Sequence, residues 1–170
     1  MITGGFSSEG LLREEQLLVL NSCTHDDALV IGDIAVALAQ AQSLPISLEV
    51  RIIDETLAEG WTVFHRALPG AKPDQPSWIA RKSRVVIATG HSTMYERVRA
   101  EELGIDWYAE HNLPEETHAI HGGGIPLHIM SAGSSILAGI LIVSVLPQVE
   151  DHLFGIQVIT QFLARQGELL

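Results

Sequence analysis

The stretch from His121 to His152 reads HGGGIPLHIMSAGSSILAGILIVSVLPQVEDH, and its apolar runs between glycines and a proline turn decide the fold. Gly124 to Met130 reads as one strand and Ile136 to Leu146 as the next, joined through Ala132-Gly133-Ser134. The second run is far short of the ~20 apolar residues that span a bilayer as a helix, so a buried strand is expected and no membrane segment. Three consecutive glycines, Gly122 to Gly124, allow a close backbone approach at one end. At the other end Leu146-Pro147-Gln148 turns the chain into a helix. In an antiparallel pair the start of one strand lies beside the end of the next. His121 and His152, with Glu150 and Asp151, are therefore expected to meet at one edge of the sheet.

Working outward, Val149 to Arg165 has the period of a final helix, with Leu153, Ile156, Ile159, Phe162 and Leu163 facing inward. Upstream, Ile46, Leu48, Val50 and Ile52 alternate with Ser47, Glu49 and Arg51, a strand with one wet face. Asp54-Glu55-Thr56 and Glu59-Gly60 make a turn, and Trp61 to Arg66 alternates as the second strand of a hairpin. Leu11 to Asn21 is a short amphipathic helix. Thr24 with Asp27 opens another, and Ala28 to Gln42 is apolar enough to lie buried against a sheet. Leu68 to Pro76 is a loop, and Ser77 to Thr89 a helix stopped by Gly90. Thr93-Met94-Tyr95-Glu96 has capping-box form, and its helix continues to Leu103 with Gly104 as C-cap. Asp106 to Ile120 is irregular, with a helical turn after Pro114.

Helices, hairpin, helices, hairpin, helix is an α+β pattern: an antiparallel sheet with helices packed on it. Residues 1–10 are expected to be a flexible tail and residues 11–170 a single domain. Hydrophobic hairpin edges are usually covered or paired with another subunit, which points to a homo-oligomer.

Composition narrows the function. The chain of 170 residues, 46% hydrophobic, suits one domain with one substantial core. Ten Lys and Arg against 21 acids leave a net charge of −11, which argues against nucleic acid. One cysteine, Cys23, excludes an intrachain disulfide and fits a reducing, cytoplasmic setting. Met1 to Gly10 lacks the basic and apolar parts of a signal peptide.

The candidate residues fall into two groups. Gly122 and Gly123 form a turn, a hinge or a ligand cradle, without the lysine of a phosphate loop. His121, Asp151 and His152 can hold a metal, or one histidine can ligate haem iron; equally, they can hydrogen-bond the turns that close the domain. Trp78, Arg81 and Lys82 share one helix face. They suit a planar or anionic ligand, a subunit contact or a solvated face. His91 sits where that helix ends, a favourable place for a histidine in itself. His25 belongs to helix-cap chemistry and Cys23 is a bystander. No zinc-protease, Cys/His zinc or serine-hydrolase motif is present.

Five stretches together resemble the haem-degrading-domain family, the GlcG/HbpS-like group, and more closely its small single-domain subfamily. They are Phe64-His65-Arg66-Ala67-Leu68-Pro69-Gly70, Trp78-Ile79-Ala80-Arg81-Lys82, Gly90-His91-Ser92, His121 to Pro126, and Val143-Ser144 through Leu146-Pro147-Gln148 to Asp151-His152. The likeness runs from Leu11 to Arg165. Two positions depart from it: Val145 stands where the subfamily usually has Gly, and Gly124 where it more often has Ser. The resemblance implies a profilin-like α+β fold, a homo-oligomer that is often ring-like, and a link to haem or a related tetrapyrrole. Its matching motifs make His65, His91, His121 and His152 the candidate ligands, beside Gln148. Three functions compete. The first is a haem-binding and haem-degrading protein. The second is a non-catalytic assembly or adaptor protein with a protein partner. The third is a small metal-dependent enzyme using His121, Asp151 and His152.

Overall fold

The computed structural model describes residues 5–168. Its elements are α1 (Ser8–Leu17), α2 (His25–Ala41), β1 (Ser47–Asp54), β2 (Leu57–Ala67), α3 (Gln75–Thr89), α4 (Thr93–Leu103), α5 (Trp107–His111), β3 (Gly124–Ser131), β4 (Ser134–Ser144) and α6 (Gln148–Glu168). The strands form one antiparallel sheet in the order β2-β1-β4-β3. Each hairpin pairs with itself, and β1 pairs with β4 to join the two, from Ser47↔Ser144 to Ile52↔Gly139. This is the α+β, antiparallel architecture that the alternation of elements implies.

The central place of β1 overturns the wet face expected for it. Leu48 and Val50 face α2 and α6 in the main core, with Ile125, Leu127, Leu141, Val143, Phe154 and Val158. Ser47, Glu49 and Arg51 are buried as well, because the opposite face is covered by α3 through Ile79 and Val86, which pack on Ile140 and Ile142. A buried charge needs a partner. Arg51 lies 3.4 Å from Glu49 and donates to Ser83 Oγ and to the Glu59 carbonyl. Alternation alone cannot distinguish a wet face from one covered by a helix carrying its own polar groups.

Several boundaries move for local reasons. The β1–β2 turn is only Glu55-Thr56, closed by Asp54 Oδ1 accepting from the Thr56 N–H; Glu59 and Gly60 lie inside β2, beside a register shift. The β3–β4 turn is Ala132-Gly133, both at positive φ. Ser92, not Thr93, caps α4, accepting from Tyr95 N. Thr93 Oγ1 instead accepts from Gly124 N, and Glu96 accepts from Trp107 Nε1 at 2.7 Å. Pro76 fits the first turn of α3, which therefore starts two residues before Ser77. A short helix, α5, breaks the irregular segment from Asp106, and the turn after Pro114 is present.

Of the expected tail, Met1 to Gly4 lie outside the described residues, and α1 begins within it at Ser8. Ser7 caps α1, and Phe6 packs with Leu11, Met94 and Val98. One aromatic and one cap suffice to dock a segment that composition makes look loose. In α6, Leu153 is 49% exposed rather than inward. The phase of that helix is set by Asp151 and His152, which are buried one after the other.

Candidate functional site

The end of β4 and the start of α6 form one wall of a cleft of about 250 Å3. The first turns of α3, with Lys72 and Asp74 before them, supply another wall, and His121 a third. Trp78, Lys82, His121, Gln148 and Asp151 of the sequence candidates line it, together with Lys72, Gln75 and the Ser144–Leu146 turn.

Lys82 lies at the centre. It is 3% exposed, and its Nζ donates to Asp151 Oδ2 at 2.9 Å and to the Val143 carbonyl at 2.9 Å. Asp151 Oδ1 accepts from Leu146 N at 3.1 Å. Burial disfavours both charges. It pushes the Asp151 carboxyl up to about 6, against the pull of Lys82, and lowers the Lys82 ammonium from its usual range despite the attraction of Asp151. The helix-face reading of Trp78, Arg81 and Lys82 is thus corrected for Lys82, which points into the protein. Arg81 lies over Trp78, with Cζ 4.7 Å from the ring centroid, and donates to the Glu115 carbonyl.

The glycines cradle this pair. Gly123 has φ +118, and a Cβ there would lie 2.2 Å from the Val143 carbonyl oxygen and 2.9 Å from Lys82 Nζ. A Cβ on Gly122 would lie 2.1 Å from the Gln148 carbonyl oxygen. The chain's own lysine and the start of α6 therefore fill the space these glycines leave. Val145 takes φ +119, in the region that favours glycine, the residue that the resemblance leads one to expect there. A β-branched residue there holds strain on the order of 1–3 kcal/mol at the cleft wall.

His121 sits edge-on to Trp78, with ring centroids 5.0 Å apart. Its Nδ1 is buried without a hydrogen-bond partner among the described residues. Burial holds its pKa below the usual imidazole range, and the cations of Arg97, Lys82 and Arg81 lower it further. Both effects favour the neutral imidazole. Gln75 is 5% exposed, and its Oε1 is also buried and unpartnered.

His152 does not join His121. It is buried, with Nε2 2.8 Å from Glu14 Oε1 and its ring against Phe6. Successive helix residues point about 100° apart, so Asp151 faces Lys82 while His152 faces α1. The proposed metal set of His121, Asp151 and His152 is not assembled. Among the described residues no group of three or more His, Cys, Asp or Glu is placed to hold a metal.

Two other candidates lie outside the cleft. His65 is half exposed on the edge strand β2, with Nδ1 4.0 Å from Glu49. His91 Nδ1 lies 2.8 Å from Glu15 Oε2, while Glu15 Oε1 accepts from Ser92 N at 2.7 Å. The Glu15 carboxylate raises the His91 pKa, outweighing burial. A histidine whose folded pKa exceeds its unfolded value adds stability that is fully present below the unfolded value, about 6.5. That stability is lost as pH rises through the folded value. The urea midpoint of wild type is accordingly expected to exceed that of His91→Gln by more at pH 5.5 than at pH 8.5. A difference that does not change with pH sinks this account.

Cys23 is a bystander as expected: burial, aided by Asp27, pushes its thiol up to about 12, leaving no thiolate at neutral pH. His25 is the first residue of α2, behind the Thr24 cap, and packs on Trp61. Sequence reasoning missed Lys72 and Gln75. One countable signal was available: Lys72 and Lys82 are the chain's two lysines, and both line the cleft.

Known proteins place the fold. The family model described as haem degrading protein HbpS-like matches residues 23–160. The chain belongs to the HbpS-like haem-degrading protein family. A UPF0303 protein of Streptomyces avermitilis is 36% identical over 152 residues, covering 89% of this chain and 88% of that protein. The crystal structure of Ybr137w superposes with a TM-score of 0.79 at 22% identity, over 93% of this chain and 88% of that one. The PduOC:heme complex superposes with a TM-score of 0.63 at 20% identity, over 82% and 94%. The fold implied by the GlcG/HbpS-like resemblance is the one observed. Among the described residues no helix of this family member is long and apolar enough to cross a membrane.

Proposed function

We propose that this HbpS-like protein is a cytoplasmic homo-oligomer that binds haem or a related tetrapyrrole at the mouth of the cleft. The observation that carries this reading is the half-buried His121 edge-on to Trp78, in surroundings that favour its neutral form. A neutral imidazole is the form that ligates iron, and an indole offers a flat face to a macrocycle. Arg81, above Trp78, suits a carboxylate side arm. Family membership and the likeness to a protein solved as a heme complex support it.

The cleft is too small to enclose such a ligand. Pockets for drug-sized ligands occupy roughly 300–1,000 Å3, and this one measures about 250 Å3. A macrocycle would lie at its mouth, where a second copy of the chain can cover the outer side. Self-association is also supported by exposed Leu57, Trp61, Met130 and Ile136 on or near the hairpin tips.

Titration with haemin, followed by absorption spectroscopy, tests this. A Soret shift saturating at fixed stoichiometry is expected, with affinity lowered about tenfold or more in His121→Ala, a loss of at least about 1.4 kcal/mol. A non-saturating drift, or unchanged affinity in His121→Ala, refutes the site. Degradation further requires the Soret band to decay when ascorbate is added in the presence of catalase. The observation favouring an assembly role is the same exposed edge. Light scattering that gives a strict monomer at micromolar concentration removes both that role and the oligomer.

A further inference from the structure

The chain uses lysine twice and arginine eight times. Ion pairs elsewhere use arginine, as in Arg13–Glu9, Arg84–Glu59, Arg97–Glu101 and Arg99–Glu110. Both lysines line one cleft. An amine differs from a guanidinium in that it can shed its proton and bond to a carbonyl carbon. Lys82 is also the buried one, with Asp151 Oδ2 2.9 Å from Nζ and an open cleft beside it.

We propose that Lys82 is an imine-forming amine, with Asp151 as its proton partner, for a small 2-oxo acid bound in the cleft. The ammonium of Lys82 gives a proton to the Asp151 carboxylate, leaving a neutral amine beside a carboxylic acid. Nζ attacks the carbonyl carbon, and one of its two protons passes to the carbonyl oxygen to give a neutral carbinolamine. Asp151 returns the proton to the carbinolamine oxygen, which leaves as water while the C=N bond forms. Nothing is oxidised or reduced. Burial moves both groups toward the neutral pair this sequence needs, Asp151 to about 6 and Lys82 below its usual range.

The remaining walls suit this ligand class. At roughly 30 Å3 per water, a cleft of about 250 Å3 holds on the order of eight waters, the scale of a small metabolite. Gln75 also lines the cleft, and its Oε1 has no hydrogen-bond partner among the described residues. Lys72 supplies a cation for the carboxylate. Gly123 leaves Nζ its place, since a Cβ there would lie 2.9 Å from it. This chemistry does not depend on haem binding, and the haemin titration leaves it untouched.

The test is reductive trapping of the apo-protein with pyruvate and sodium cyanoborohydride, read by intact mass and peptide mapping. One adduct is expected, on the peptide carrying Lys82, formed faster than any on Lys72 or the N-terminal amine. Asp151→Asn, checked for folding by circular dichroism, is expected to slow trapping about 100-fold. The decisive comparison lies within the wild-type sample, so it survives a misfolded variant. Adducts on Lys72 or the N-terminus alone, or no adduct, overturn the proposal and leave Lys82–Asp151 a structural ion pair. Trapping of Lys82 by propanal but not by pyruvate overturns the assignment to a 2-oxo acid.

Discussion

Lys82→Met is expected to destabilise the protein by about 3–5 kcal/mol, the cost of leaving one partner of a buried ion pair without the other. Lys82 and Asp151 are 3% and 1% exposed, and the pair ties α3 to the end of β4 and the start of α6. Among the described residues Asp151 retains only the Leu146 N–H as a donor to its carboxylate when the ammonium is gone. Burying a carboxylate with so little compensation is costly, so the variant should also take up a proton there more readily than wild type. The double variant Lys82→Met/Asp151→Leu removes both charges at nearly constant volume and is expected to recover most of the loss. Urea unfolding of the four proteins of this cycle measures the coupling, with unchanged slopes showing that the unfolded state is the same. A loss below about 1 kcal/mol in Lys82→Met would place the pair in the solvated class and contradict its burial.

Gly123→Ala is the second large effect, expected to cost on the order of 3 kcal/mol or more. Three penalties coincide. The residue has φ +118, where a side chain is strained. The new Cβ would lie 2.2 Å from the Val143 carbonyl, whose residue also donates its N–H to the Gly123 carbonyl at 2.8 Å. It would lie 2.9 Å from Lys82 Nζ and 3.0 Å from Asp151 Cβ, so relief of one clash displaces the ion pair. Overpacking alone typically costs about 1–3 kcal/mol. Gly133→Ala is the control. It too has positive φ, at a hairpin tip, but a Cβ there meets nothing within 4 Å. Thermal unfolding of both variants separates backbone strain, which they share, from the clash, which only Gly123→Ala suffers. Equal shifts in melting temperature would show that the crowding around Lys82 is not real.

Much of the fold follows from local patterns that tertiary packing does not override. The two alternating runs become β1 and β2, the two segments after the glycine triplet become β3 and β4, and Thr24, Gly90 and Gly104 act at the helix ends their chemistry favours. Errors cluster where a residue's local role is displaced by a distant partner. Thr93 looks like a cap but is taken by Gly124, and Glu96 looks like a capping-box acid but is taken by Trp107. Trp78 and His121 stand out as candidates in the sequence, and they do meet. His91 and His152 stand out equally but are engaged by Glu15 and Glu14 of α1, at sequence distances no local rule spans.

The sequence by itself therefore determined the strands, most helix limits, the α+β class and the family, because these depend on periodicity, capping and motif. Only the tertiary structure decided which face of each element carries chemistry. Alternation in β1 cannot say that α3 covers its polar side. Helical spacing cannot say that Lys82 turns inward toward Asp151, 69 residues away, while Arg81 beside it stays outside. Burial of a charge is a property of the surroundings, and the surroundings of Lys82 are assembled from α3, the turn before β3, the end of β4 and the start of α6.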